Sequence, residues 1–198
     1  MLNSVLYLGK KDCSYSNKLG EFLKKNSKKF YYIPSNFVGE KLNNKIIHNY
    51  NFDYIFSFRS FFILKKNLIE KCKKEAINFH PGPPKYRGIG CLNYALYNNA
   101  KTYGCTAHIM NTKIDNGKIL DVKRFKLKKD DNIENVLEKT YPLMLKQAFY
   151  VINLLKKKDE NLMKLIKKNK LEKWSKKLFI KKDLTRIYKI NKNSSKKL

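Results

Sequence analysis

The stretch Ala76–His80, A-I-N-F-H, runs straight into Pro81-Gly82-Pro83-Pro84. A short apolar run of this kind reads as a strand. The proline-dense exit forbids its continuation, because proline has no N–H to give a ladder. On extended chain, residues two apart point the same way, so Asn78 and His80 share one face at the strand's end. Gly82 lets the backbone approach a ligand closely, and Arg87-Gly88-Ile89-Gly90 prolongs an open loop. Asp115 follows in the turn Ile114–Gly117, I-D-N-G, which bends at Asn116 or Gly117. Plainer readings stand beside these: a strand-end histidine as a structural group, an aspartate in D-N-G as a turn former. Asn78 fits a plain reading less easily, since a buried amide must find partners.

The rest of the chain supplies an alternation of elements. Ser4–Leu8 reads as a strand closed by Gly9, and Tyr15–Lys25 as a helix with Leu19, Phe22 and Leu23 on one face. Phe30–Ile33 is a strand stopped by Pro34, Lys41–Tyr50 a short helix, and Tyr54–Phe58 a third strand. Leu64–Cys72 fits a helix with Leu64, Leu68 and Ile69 inward, and Cys91–Asn98 another after the loop. Tyr103–Met110 and Lys118–Leu127 are β-runs joined by the Asp115 turn. Asn132–Lys156 is a long helix, N-capped by Asp130 and Asp131 and kinked or divided at Pro142. A basic helix near Leu162–Lys170, an amphipathic piece near Leu184–Ile190 and a polar, frayed Asn191–Leu198 follow. The expected fold is α/β: a Rossmann-like, mostly parallel twisted sheet with helices on both faces, then a short basic helical segment. We divide it as a domain over 1–155 and an extension over 156–198. Ligands of such sheets bind beyond the strands' carboxyl ends, where His80 lies. Gly9 alone makes no G-x-G-x-x-G, so no nicotinamide site is implied.

Composition narrows the function classes. Hydrophobic residues make up 42% of 198, enough for a core. No apolar run reaches the roughly 18–20 residues of a membrane span, and Met1–Leu8 does not read as a signal peptide. Cys13, Cys72, Cys91 and Cys105 are widely spaced with no C-x-x-C, which fits a reducing compartment; we expect a cytoplasmic protein. A metal held by Cys105, His108 and His80 is disfavoured for want of paired ligand spacing, and no metal is expected. The net charge of +28 suggests an anionic partner. However, it is nearly all lysine: only Arg59, Arg87, Arg124 and Arg186 offer the bidentate fork favoured for phosphate and base recognition, so nucleic acid is not the expected partner. From Lys156 to Leu198 there are 17 Lys and Arg against 4 Asp and Glu, which reads as a solvated helical face or as a surface for an anionic partner such as RNA, a nucleotide or acidic lipid.

The ordered set Asn78-Phe79-His80, Pro81 through Gly88, Gly104-Cys105-Thr106-Ala107-His108 and Asp115-Asn116-Gly117 resembles the folate-dependent formyltransferases, the family of glycinamide ribonucleotide transformylase and methionyl-tRNA formyltransferase. That family carries an N-x-H at a strand end, a Pro/Gly loop, a G-x-T-x-H-like strand and a D-x-G turn. The loop H-P-G-P-P-K-Y-R-G, followed by I-G-C-L-N-Y-A-L-Y, is most similar to that of the sugar N-formyltransferases and departs from the S-L-L-P form of the transfer-RNA enzyme. The resemblance implies 10-formyltetrahydrofolate as donor and a primary amine as acceptor, here the amine of a nucleotide-linked amino sugar. It implies catalytic roles for Asn78 as oxyanion donor, His80 as proton carrier or second donor, and Asp115 as the group that orients His80, with no metal. It also implies that Phe58-Arg59-Ser60-Phe61 and Asn111-Thr112-Lys113-Ile114 flank the pterin, although Phe61 and Phe62 also read as core. Tyr86 and Arg87 are placed to meet the acceptor, or Arg87 to pin the loop. Two other readings remain: methionyl-tRNA as acceptor, against which the short tail stands, and a non-catalytic nucleic-acid-binding module. Homodimer formation is left open.

Overall fold

The first apolar run lies within a longer strand, β1 (Leu2–Lys10), buried along most of its length. The computed structural model describes residues 1–42, 51–158 and 160–184. Within these are β2 (Ser27–Ser35), β3 (Phe52–Phe58), β4 (Cys72–His80), a short β5 (Arg87–Gly88), β6 (Thr102–Ile109), β7 (Ile119–Lys126) and a short β8 (Leu178–Phe179). The main sheet has the order β2-β1-β3-β4-β6-β7. The four strands from β2 to β4 are parallel, whereas β6 runs antiparallel to β4 and β7 to β6. The sheet is thus mixed but mostly parallel, and the chain leaves β1 in one direction and returns past it to β3. That reversal opens a crevice at the carboxyl ends of β1, β3 and β4.

Helices α1 (Ser14–Lys25), α2 (Lys66–Glu70), α3 (Cys91–Tyr97), α4 (Ile133–Lys157) and α5 (Glu160–Lys168) complete the described elements. Alternation along each strand divides the core into two faces. Val5, Tyr7, Phe56, Phe58, Ile77, Phe79, Cys105 and Ala107 pack against α1, α4 and α5 through Leu19, Leu23, Met144, Ala148, Val151, Ile152, Leu162 and Leu165. On the other face, Leu6, Leu8, Ile55 and Ala76 meet Leu68 of α2, with Leu42, Phe62 and Leu64 packed alongside. A register shift between Phe52 and Tyr54 puts Phe52 on this second face. A long helical layer covers the first face, and α2 covers the second only in part. Asn78, His80, Thr106 and His108 lie on the less covered face, by the same alternation.

Several expected boundaries change. The helix expected over Leu64–Cys72 is only Lys66–Glu70, because Cys72 already belongs to β4, which runs for nine residues. The N-cap of α4 is Asn132, whose side chain accepts from the Asn135 N–H at 2.9 Å. Asp131 instead accepts from the Lys128 N–H and pairs with Lys139. Helix α4 passes through Pro142 undivided. Proline there forfeits one backbone bond, but Thr140, Met144, Leu145, Gln147 and Ala148 around it are buried, and that packing holds the helix together. The helix expected at Lys41–Tyr50 falls largely outside the described residues, as does the piece at Leu184–Ile190; Asn191–Leu198 lies wholly outside. Among the described residues no helix is long and apolar enough to cross a membrane.

Candidate active site

Antiparallel pairing of β4 and β6 sets Asn78 opposite His108 and His80 opposite Thr106. Directly opposed residues on one face of an antiparallel pair lie within side-chain reach, so the two strands deliver an amide and two imidazoles to one spot. The register of β6 against β7 shifts between Ala107 and His108, a bulge beside the site. The chain after β6 then turns at Asp115, whose φ of 43° lies in the left-handed region. That conformation is uncommon for a side-chain-bearing residue, though Asp tolerates it better than most. Gly117 follows, and a Cβ there would stand 1.7 Å from the Ile109 carbonyl oxygen, so the turn closes only with glycine.

This turn brings the Asp115 carboxylate into the middle of the group. One oxygen, Oδ2, lies 3.2 Å from His80 Nδ1 and accepts the Gly88 N–H at 2.9 Å. The other, Oδ1, lies 3.3 Å from His108 Nε2 and accepts from Asn78 Nδ2 at 3.3 Å. His80 Nε2 donates to the Tyr86 carbonyl and His108 Nδ1 to the Ile109 carbonyl, both at 2.9 Å. A carbonyl oxygen only accepts, so those nitrogens carry hydrogens. The remaining nitrogen of each ring faces a carboxylate, and lone pair would oppose lone pair unless a proton lies between them. The geometry therefore calls for bound protons in the His80–Asp115–His108 group. Burial pushes the Asp115 carboxyl up. The charge on His80, the hydrogen bond and charge from His108 and the Gly88 N–H outweigh it and hold the group well below the usual carboxylate range.

Asn78 is the member of the cluster left half-exposed, while His80, His108 and Asp115 are buried. A carboxylate cannot donate, so Asn78 must turn its NH₂ toward Asp115. The amide has a second hydrogen, and His108 Nε2 lies 3.2 Å from Asn78 Nδ2. When His108 carries a proton on that nitrogen, it donates to Asp115 and the second amide hydrogen is free for another acceptor.

The cluster opens onto a cavity of about 450 Å³, lined by Asn78, His80, His108 and Asp115 together with Arg59, Ser60, Phe61, Asn111, Thr112, Lys113 and Ile114. Phe58 instead faces the core, its ring 6.2 Å from that of Phe79. Phe62, Ile63, Leu64 and Met110 add apolar walls. Arg59 takes a left-handed φ of 56°, stacks 3.7 Å over the Tyr141 ring and donates to the Cys13 sulfur at 3.1 Å. Tyr86 is buried, its ring 6.0 Å from that of Phe179. Arg87 is also buried and pins the loop, donating to the Ile114 carbonyl at 2.5 Å. Cys105 lies on the opposite sheet face from His80 and His108, with burial pushing its thiol up to about 12. No group of acidic, histidine and cysteine side chains suited to a metal occurs among the described residues.

Three contributors to the site were not assigned roles from sequence. His108 lay within a quoted motif, and its equal parity with Thr106 could have placed it once the strand pairing was known. The Gly88 N–H is a backbone group that residue identity does not announce. Trp174 reaches in from the tail, donating its indole N–H to the Gly117 carbonyl at 2.7 Å.

Residues 16–148 match the family model described as formyl transferase. Among curated proteins, the bifunctional polymyxin resistance protein ArnA of Wigglesworthia glossinidia brevipalpis is 35% identical over 113 residues, 51% of this chain and 17% of that protein. A methionyl-tRNA formyltransferase of Thermodesulfovibrio yellowstonii is 38% identical over 78 residues, 39% of this chain and 25% of that one. The chain thus spans a quarter or less of the length of these two relatives. Among solved structures, the formyltransferase PseJ from Anoxybacillus kamchatkensis superposes with a TM-score of 0.64 at 18% identity, covering 93% of this chain and 90% of that one. At that identity the likeness shows the fold.

Proposed function

The chain belongs to the formyl transferase family, and on that premise we propose that it transfers a formyl group from 10-formyltetrahydrofolate to the primary amine of a nucleotide-linked amino sugar. The observation that carries this reading is the Asp115 carboxylate, gathering Asn78, His80 and His108 at the wall of one cavity. The cavity suits the donor: a flat heteroaromatic ring needs apolar walls, which Phe61, Phe62, Leu64 and Met110 offer, beside a more polar margin, which Asn111–Ile114 offer. When bound there, the donor supplies a formyl carbon held on nitrogen. Arg59, Ser60, Phe61 and Asn111–Ile114 flank it in this reading. Phe58 contributes through its strand position alone.

The exchange is redox-neutral: one C–N bond forms, one breaks, and one proton passes from the incoming nitrogen to the departing one. Asn78 donates an N–H to the formyl oxygen as negative charge develops there. One such donor is worth about 10²–10³ in rate. The His80–Asp115 pair, whose shared proton lies between Nδ1 and Oδ2, takes and returns the proton as a unit, a contribution of roughly 10²–10⁴. Asp115 fixes the imidazoles and balances their charge. Every one of these steps uses side chains alone, without a metal. The loop Pro81–Gly88 supports the amino-sugar acceptor through its likeness to the sugar N-formyltransferases, as does the Anoxybacillus protein, whose structure holds UDP-4,6-dideoxy-4-formamido-L-AltNAc and tetrahydrofolate. We also place the protein in a reducing, cytoplasmic setting, which suits its four free thiols.

The test is a panel assay. Tetrahydrofolate release and a formylated product, detected by mass spectrometry, are measured with UDP- and dTDP-linked amino sugars, glycinamide ribonucleotide and methionyl-tRNA. The expected result is turnover with an amino-sugar nucleotide. Turnover with methionyl-tRNA alone would replace the acceptor, and no turnover with any amine would remove the enzymatic reading.

A further inference from the structure

The site has a back wall built from the far end of the chain. Beyond α5, the Asn169 side chain donates to the Leu120 carbonyl at 2.7 Å, and Glu172 grips Arg124 of β7 through two bonds of 2.6 and 2.7 Å. Trp174 follows, then the Ser175 N–H donates to the Pro84 carbonyl at 3.0 Å. Strand β8 pairs with β5, and the Ile89 N–H donates to the Phe179 carbonyl at 2.9 Å. The segment 169–179 therefore straps together both loops that carry the site: Pro81–Gly90, holding Gly88, and 110–118, holding Asp115.

Trp174 is the part of this strap that reaches the chemistry. Its ring stands nearly perpendicular to that of His108, at 84° and 5.0 Å, and at 69° and 5.9 Å from that of His80. Its N–H is bonded to the Gly117 carbonyl, two residues past Asp115. We propose that Trp174 is a positioning residue: it presses both imidazoles toward Asp115, anchors the turn that carries the carboxylate, and keeps water from the rear of the group. The inference rests on the proposed catalytic role of that group.

Three physical reasons support it. The rings of His80 and His108 are held through their two nitrogens, in the ring plane, so a flat neighbour against both limits their tilt. The tether fixes the turn by a backbone carbonyl that a ring without an N–H could not hold. The indole is also bulky and half-buried, and removing it would admit water to a second side of the Asp115 carboxylate, which already borders the cavity. The other titratable and charged groups near the cluster include Lys10, Arg59, Lys113 and Tyr141, which line the same cavity, Arg87, which clamps the Ile114 carbonyl, the Cys91 thiol and the Tyr103 hydroxyl that contacts it. Asp115 raises the Cys91 thiol only as a minor contribution beside burial.

Trp174 is the only tryptophan in the chain, which makes the test direct. Protonated imidazole quenches a neighbouring indole, so emission of the unmodified full chain should step with pH as the histidine cluster gains or loses protons. His108→Gln should diminish the step. Trp174→Ala and Trp174→Phe are then followed in two ways: imidazole nitrogen shifts against pH by NMR, and the kcat and KM of formyl transfer against pH. Trp174→Ala should shift both histidine titrations and lower kcat about 10- to 100-fold, since a displacement near 1 Å has effects of that order. KM should change little. Trp174→Phe, which keeps a ring but loses the tether, should fall between. Leu171→Ala, at an exposed strap position, serves as the control and should match the parent. Flat emission, together with histidine titrations unmoved in both Trp174 variants, would overturn the proposal. The NMR and emission readings need no substrate, so a chain with shifted titrations but no formyl transfer would count against the catalytic reading and leave the positioning role standing.

Discussion

Asn78 and Asp115 can be separated by single substitutions. Asn78→Ala removes the proposed oxyanion donor and leaves His80 and Asp115 in contact; turnover should drop at least about 100-fold, with circular dichroism and Tm close to the parent. Asp115→Asn keeps a residue type that tolerates the left-handed φ of 43°, so it isolates the charge from the backbone; a loss of similar size is expected with the turn intact. The carboxyl's depressed pKa also gives a signed effect on stability. A group held lower in the folded state than in the unfolded one stabilises the fold fully above its unfolded pKa, near 3.9, and loses that contribution as pH falls through the folded value. In urea titrations below about pH 4, the parent should lose stability more steeply than Asp115→Asn. Equal slopes would mean that the His80, His108 and Gly88 contacts do not favour the carboxylate. Asn78 and His80 were legible in the sequence because a two-residue period fixes their common face. His108 was not, because its role depends on a strand register that only the pairing of β4 with β6 supplies.

Among the elements, the helices and strands that follow simple periods were read well, and those set by tertiary contact were not. Leu19 and Leu23 mark α1 by their spacing, and both are fully buried. Strands β5 and β8 left no sequence signal, since each spans two residues and exists only because loop and tail meet. Trp174 stands 57 residues from the Gly117 carbonyl it binds, a distance over which no local pattern speaks. Two substitutions probe the elements directly. Gly117→Ala would force a Cβ against the Ile109 carbonyl, at 1.7 Å without movement, so both Tm and activity should fall; an unchanged Tm would show that the turn yields freely. Pro142→Ala restores a backbone donor inside α4. It should raise Tm by about 2–4 °C for each kcal/mol regained, and a lower Tm would show that the helix is built around the proline.

At the scale of the whole molecule, the net charge of +28 is spread over many lysines, and only Lys10, Arg59 and Lys113 of the basic residues line the cavity where the proposed chemistry uses one amide, two imidazoles and one carboxylate. An acceptor bound through one nucleotide should lose affinity only gently with salt, whereas a polynucleotide held by 6–10 phosphates would lose about 10³–10⁵ between 50 and 200 mM salt. The KM of an amino-sugar nucleotide acceptor, measured across that range, should therefore change by less than about tenfold. The central claim, that Asp115 organises an amide and two imidazoles for formyl transfer to an amino sugar, is met most directly by one comparison. Formylated amino-sugar nucleotide is quantified by mass spectrometry from 10-formyltetrahydrofolate, with the parent protein and Asp115→Asn side by side at matched folded concentration. The parent should yield product, and the variant at least about 100-fold less. Equal product from both would contradict the claim.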